Sequence, residues 1–146
     1  MAERIGRLSK EWGFNSEKII QVPKAVGSTE KIMFLKSEGV YLSSNQIVED
    51  QENEEIEIVI IDYYFKEKDV TFIKADIEGA EYDMICGAER LIKRCKPKIA
   101  VCVYHKPDDL FRIYNKIKSL CNDYKFVLRQ HAYDLRETVL YCWCDR

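Results

Sequence analysis

From residue 70 onward the chain alternates strand, helix, strand, helix, strand, strand, an order that admits few folds. VTFIKAD (70–76) is a short β-prone run, and Glu78-Gly79 turns the chain into a helix. That helix carries Ala80, Met84, Ala88, Leu91 and Cys95 at spacings of four, four, three and four, one apolar face of a single helix. Lys96-Pro97 stops it, because proline disfavours helical geometry in the residue before it. PKIAVCVY (97–104) is almost wholly apolar, as in a strand covered on both faces. Leu110, Ile113, Tyr114, Ile117, Leu120 and Cys121 then mark a second amphipathic helix. YKFVLRQ (124–130) and ETVLYCWC (137–144) form a closing antiparallel pair. Strands joined through helices pack as parallel neighbours, so the expected fold is an α/β layered sheet, mostly parallel, with a C-terminal antiparallel hairpin.

The first half is less regular. Ile5, Leu8 and Trp12 suggest a short amphipathic helix. KIIQVPKAV is expected as a strand stopped by Gly27, KIMFL (31–35) and GVYLS (39–43) as further strands, and IEIVIID (56–62) as a buried one. Between them EDQENEEIE (49–57) holds six acidic side chains, the pattern of a solvated loop.

Composition sets the outer limits. With 146 residues, 47% hydrophobic and 12% aromatic, one domain with a real core is expected and disorder is excluded. Lys plus Arg number 23 against 25 Asp plus Glu, which gives no basic field for nucleic acid or anionic lipid. The longest apolar runs, 99–104 and 139–144, are too short to span a bilayer. The first fifteen residues have no signal-peptide core, so a cytoplasmic location is expected. Six cysteines, without a CxxC or a Cys/His ligand cluster, are expected as reduced thiols packed among apolar neighbours.

In open α/β sheets ligands bind beyond the carboxyl ends of the strands. Two candidate strands end there in polar groups, Asp76-Ile77-Glu78-Gly79 and Tyr104-His105. An extended backbone would send the side chains of Asp76 and Glu78 to one side. If the strands are neighbours, Asp76, Glu78 and His105 converge on one crevice, able to activate a hydroxyl by general base catalysis or to hold a divalent cation. Strand-end acids more often serve as helix caps or substrate contacts, so no metal is expected. Asp62 ends another strand and equally fits a cap for the helix it opens, and Arg129 and His131 are surface or substrate-facing. No strand-to-helix junction carries a GxGxxG loop, and there is no P-loop, nucleophile elbow or HExxH.

Residues 72–105, FIKADIEGAEYDMICGAERLIKRCKPKIAVCVYH, resemble the central motif of the FkbM-type methyltransferases. The shared pattern falls on Ile73, Lys74, Asp76, Glu78, Gly79, Glu81, Gly87 and Ala88. KAVGSTE (24–30), IVIIDYYF (58–65) and the closing LRQHAYDLRETVLYCW resemble flanking stretches of the family, so the likeness runs over about 19–144.

The resemblance implies an incomplete class I methyltransferase (Rossmann-like) fold over residues 1–146, with 56–146 as its α/β core. The family's first two strands and Gly-rich cofactor loop are expected ahead of residue 1. It further implies S-adenosylmethionine as cofactor and O-methylation of a sugar or related hydroxyl substrate. Asp76 would stand beside the donor methyl group, and Glu78 and His105 would line the acceptor pocket. The missing strands would leave a gap in the sheet, closed by pairing of KIIQVPKAV with residues 70–76, by an upstream polypeptide or by self-association, or else left with the N-terminal quarter loosely held. A non-catalytic remnant or interaction module is the alternative.

Overall fold

The computed structural model describes residues 11–13, 18–36, 46–48, 54–134 and 136–145. The expected strand at 39–43, most of the acidic run and the Ile5–Leu8 part of the first helix lie outside the described residues. In chain order the elements are β1 (Ala25–Val26), β2 (Lys31–Lys36), β3 (Gln46–Val48), β4 (Glu54–Val59) and α1 (Ile61–Tyr64). There follow β5 (Phe72–Ala75), α2 (Glu81–Cys86), α3 (Glu89–Cys95), β6 (Lys98–Cys102), α4 (Asp109–Leu120), β7 (Lys125–Gln130) and β8 (Thr138–Trp143).

The strands form two four-stranded sheets, β1-β4-β2-β3 and β5-β6-β8-β7. Only β1–β4 and β5–β6 pair in parallel; the other four described pairings are antiparallel. The mostly parallel sheet expected from sequence is therefore corrected to a mixed one. Helical crossovers join β5 to β6 and β6 to β7, but β8 enters between β6 and β7, antiparallel to both, so only β5 and β6 become parallel hydrogen-bonded neighbours. Pairing of KIIQVPKAV with residues 70–76 is also corrected. Only Ala25 and Val26 enter a strand, and they pair with Ile58 and Val59. Ile20, expected in that strand, is 78% exposed.

In the second sheet β6 lies between β5 and β8, and Ile99 to Cys102 are buried on both faces. Ile99 and Val101 join Leu140 and Cys142 beneath Met84, Ile85, Ala88, Ile92, Ile113 and Ile117 of the helices. Ala100, Cys102 and Val139 form a smaller cluster on the opposite face with Tyr104 and Tyr141. The period-two alternation along β6 thus divides its side chains between two apolar layers. Of the six cysteines, all of them free, only Cys102 and Cys142 are fully buried.

The helix expected from residue 80 to the Lys96-Pro97 stop is broken in two, and Asp62 breaks it. Its backbone N–H donates to the Gly87 carbonyl at 2.8 Å. Its carboxylate accepts from the N–H groups of Arg90 and Leu91 at 2.9 and 2.8 Å. Asp62 therefore caps α3, a helix distant in sequence, rather than its own α1. Gly87 is needed at the break because a Cβ there would stand 2.0 Å from the Gly27 carbonyl oxygen. That close backbone approach ties the first sheet to the helical layer, where Val26 packs against the main core. Lys96 closes α3 in a left-handed conformation, φ 44°, just before Pro97.

A candidate active site at the ends of two parallel strands

β5 and β6 run parallel and in register, so the chain leaves both on the same edge of the sheet. After Ala75 the backbone does not stay extended. Glu78 and Gly79 adopt positive φ, 54° and 94°, and Ala80 donates back to the Ile77 carbonyl. Asp76 and Glu78 thus approach the same imidazole through a left-handed turn, not through the period of a strand. Glycine carries the larger positive φ without a steric cost, which fits Gly79 to this place.

His105 follows β6 and sits at the centre. Its Nε2 lies 3.6 Å from Asp76 Oδ1 and 3.5 Å from Glu78 Oε2. Its Nδ1 lies 2.9 Å from Glu81 Oε1, off the line of a hydrogen bond. The imidazole is about nine-tenths buried, and Glu81 is completely buried. Glu81 Oε1 accepts from the Ile77 N–H at 2.8 Å, which fixes the carboxylate under the turn. Glu81 Oε2 and both ring nitrogens are buried without a hydrogen-bond partner. Buried polar groups in that state are uncommon in folded proteins.

The surroundings hold the cluster in place. The Tyr104 hydroxyl donates to Asp76 Oδ1 at 3.2 Å. Burial, and then the Asp76 charge, push that phenol above its usual range. Burial pushes the Cys102 thiol up to about 12, with Asp76 adding to the rise, so it remains a neutral thiol. Lys106 Nζ donates to the Gly79 carbonyl, tying the two strand-end turns together. Asp109, fully buried in the first turn of α4, accepts from the Lys106 N–H at 2.9 Å and is pushed above the carboxylate range, first by burial.

A cleft of about 470 Å³ opens beside the cluster. Glu78, Asp83, His105 and Lys106 line it with Met33, Ile58 and Ile77 and with the Gly27–Thr29 turn from the first sheet. Glu78 and His105 line this space; Asp76 does not. The sequence had singled out Asp76, Glu78 and His105 but gave Glu81 no role in the site. Its signal was present: Glu81, Ile85, Ala88 and Ile92 fall at helical spacing, and all four are fully buried. An acid on such a stripe requires a partner. Arg129 and His131 lie elsewhere, exposed on the C-terminal hairpin, with His131 Nε2 3.0 Å from the Tyr141 hydroxyl.

A mixed α/β architecture with acids and an imidazole beyond two parallel strand ends has the placement of a ligand-binding crevice in an open α/β sheet. The family model for the methyltransferase FkbM domain matches residues 13–135, and the chain belongs to that family. The chain is also similar to the crystal structure of methyltransferase FkbM from Methylobacillus flagellatus KT, with 29% identity and a TM-score of 0.74. That match covers 97% of this chain and 32% of the other, so the chain spans about a third of that protein's length. No curated protein matches it. No helix among the described residues is long and apolar enough to cross a membrane.

Proposed function

We propose that the chain carries the acceptor-activating part of an S-adenosylmethionine-dependent O-methyltransferase acting on a hydroxyl of a sugar or related metabolite. The observation that carries this reading is the approach of Asp76 and Glu78 to Nε2 of one buried imidazole, beside a cleft of small-molecule size. The cleft suits the cofactor chemically, since Glu78 and Asp83 offer carboxylates to a cationic sulfonium and Met33, Ile58 and Ile77 offer apolar surface. When bound, the cofactor supplies an electrophilic methyl carbon. The protein's part is to hold the acceptor oxygen in line and to take its proton as the new bond forms. Glu78 and His105 are the proton acceptors of the cluster on the cleft wall, with Asp83 left to the sulfonium. Asp76 stabilises positive charge on the ring.

Calorimetric titration of the chain with S-adenosylmethionine, followed by methyl transfer to a panel of hydroxyl acceptors, tests the reading. Binding at about micromolar Kd with transfer to a hydroxyl supports it. Absence of binding supports the non-catalytic module instead.

A further inference from the structure

We infer that Asp76, Glu81 and His105 form a site for a divalent cation. One donor atom of each lies within 4.8 Å of the other two. Ligand atoms about 2.1 Å from one ion stand roughly 3–4 Å apart, so a modest closure of the side chains completes the set. This departs from the sequence reading, which expected no metal.

The burial of the set supports it. Glu81 Oε2 and His105 Nε2 are buried without a hydrogen-bond partner, an arrangement that costs free energy unless something binds there. Asp76, Glu78 and Glu81 all approach the one imidazole, so the cluster is rich in oxygen donors for a cation. Lys106 is held on the Gly79 carbonyl. Two carboxylates and one imidazole suit manganese, magnesium or zinc, and His105 is the member of the set that lines the cleft.

The inference deepens the proposed function and rests on it for its chemical consequence. A cation held by the ring would take the imidazole out of the proton-acceptor role and lower the pKa of a hydroxyl bound to it, and Glu78, outside the ligand set and on the cleft wall, would receive the proton.

Metal binding is measurable without donor or acceptor, so its failure is distinct from failure of the methyltransferase reading. Manganese chloride is titrated into the metal-free chain, with calorimetry and the manganese electron-spin signal as readouts. One saturable site is expected, weakened about tenfold or more by Asp76→Asn and by His105→Ala. Asp69→Asn, which removes an exposed carboxylate far from the cluster, should leave binding unchanged. Because Asp76 is partly exposed, its conservative variant keeps the fold, which thermal unfolding verifies. Absence of saturable binding by manganese, magnesium and zinc up to about 1 mM overturns the site, as does binding that Asp76→Asn leaves intact.

Discussion

His105 is the residue on which the site turns, because three carboxylates reach it from the turn and helix that follow β5. In the proposed enzyme, Asp76→Asn and His105→Ala are expected to abolish methyl transfer while the far-ultraviolet circular dichroism stays near that of the parent, with a lowered unfolding temperature for His105→Ala, which strips buried Glu81 of its partner. Full activity in both variants would remove them from the site. Asp109 offers a separate test at the same scale. Burial raises its carboxyl, so the folded state prefers the protonated form. Stability linked to that group is complete below the unfolded carboxyl's range and is lost as pH rises through the higher folded value. Asp109→Asn keeps an oxygen for the Lys106 N–H and discards the charge. It should therefore unfold at a higher temperature than the parent at pH 7, with the difference shrinking as pH falls into the acid range. A lower unfolding temperature at pH 7 would mean that the charge itself is favourable.

Among the elements, the α2–α3 break depends on a side chain 27 residues upstream of the helix it caps. Asp62→Ala removes two charge-assisted hydrogen bonds at the start of α3 and is expected to cost about 1–2 kcal/mol in urea unfolding. Gly87→Ala gives a sign test. Helix propensity alone favours alanine by about 1 kcal/mol. The Gly27 carbonyl occupies the space a Cβ would take, and backbone cannot swing aside as a side chain can. Gly87→Ala should therefore destabilise by about 1–3 kcal/mol. Met84→Ala or Ile117→Ala, by contrast, should cost about 2–5 kcal/mol through an ordinary core cavity, without any change in ligand binding.

At the scale of the molecule, β6 and β5 differ in what holds them. β6 has a strand on each side, whereas among the described residues β5 pairs with β6 alone. Phe72 on β5 is 56% exposed. Hydrogen exchange should find the β6 amides the slowest in the second sheet and the outward amides of β5 much faster. Equal protection along both strands would show that β5 has a second partner in solution. The cleft belongs to this scale too: its walls come from the first sheet, the turn after β5 and the turn after β6. Its integrity depends on the Gly27–Gly87 approach as much as on the cluster itself.

Sequence by itself determined the second sheet. Its strands and helices from residue 72 to 143 follow from apolar periodicity and from stops such as Lys96-Pro97, because those signals are local and each is settled within a few residues. It also marked Asp76, Glu78 and His105, since chemistry at the ends of parallel strands follows from topology. Tertiary structure alone decided the rest. Asp62 splits a helix that periodicity drew as continuous, because its hydrogen bonds reach across more than twenty residues of chain. Glu81 becomes a buried partner of His105, because only packing removes it from water. The first sheet takes its order from pairings such as Lys31 with Ile58, which no local pattern encodes. Periodicity reports which face of an element is buried; it is silent about what that face meets.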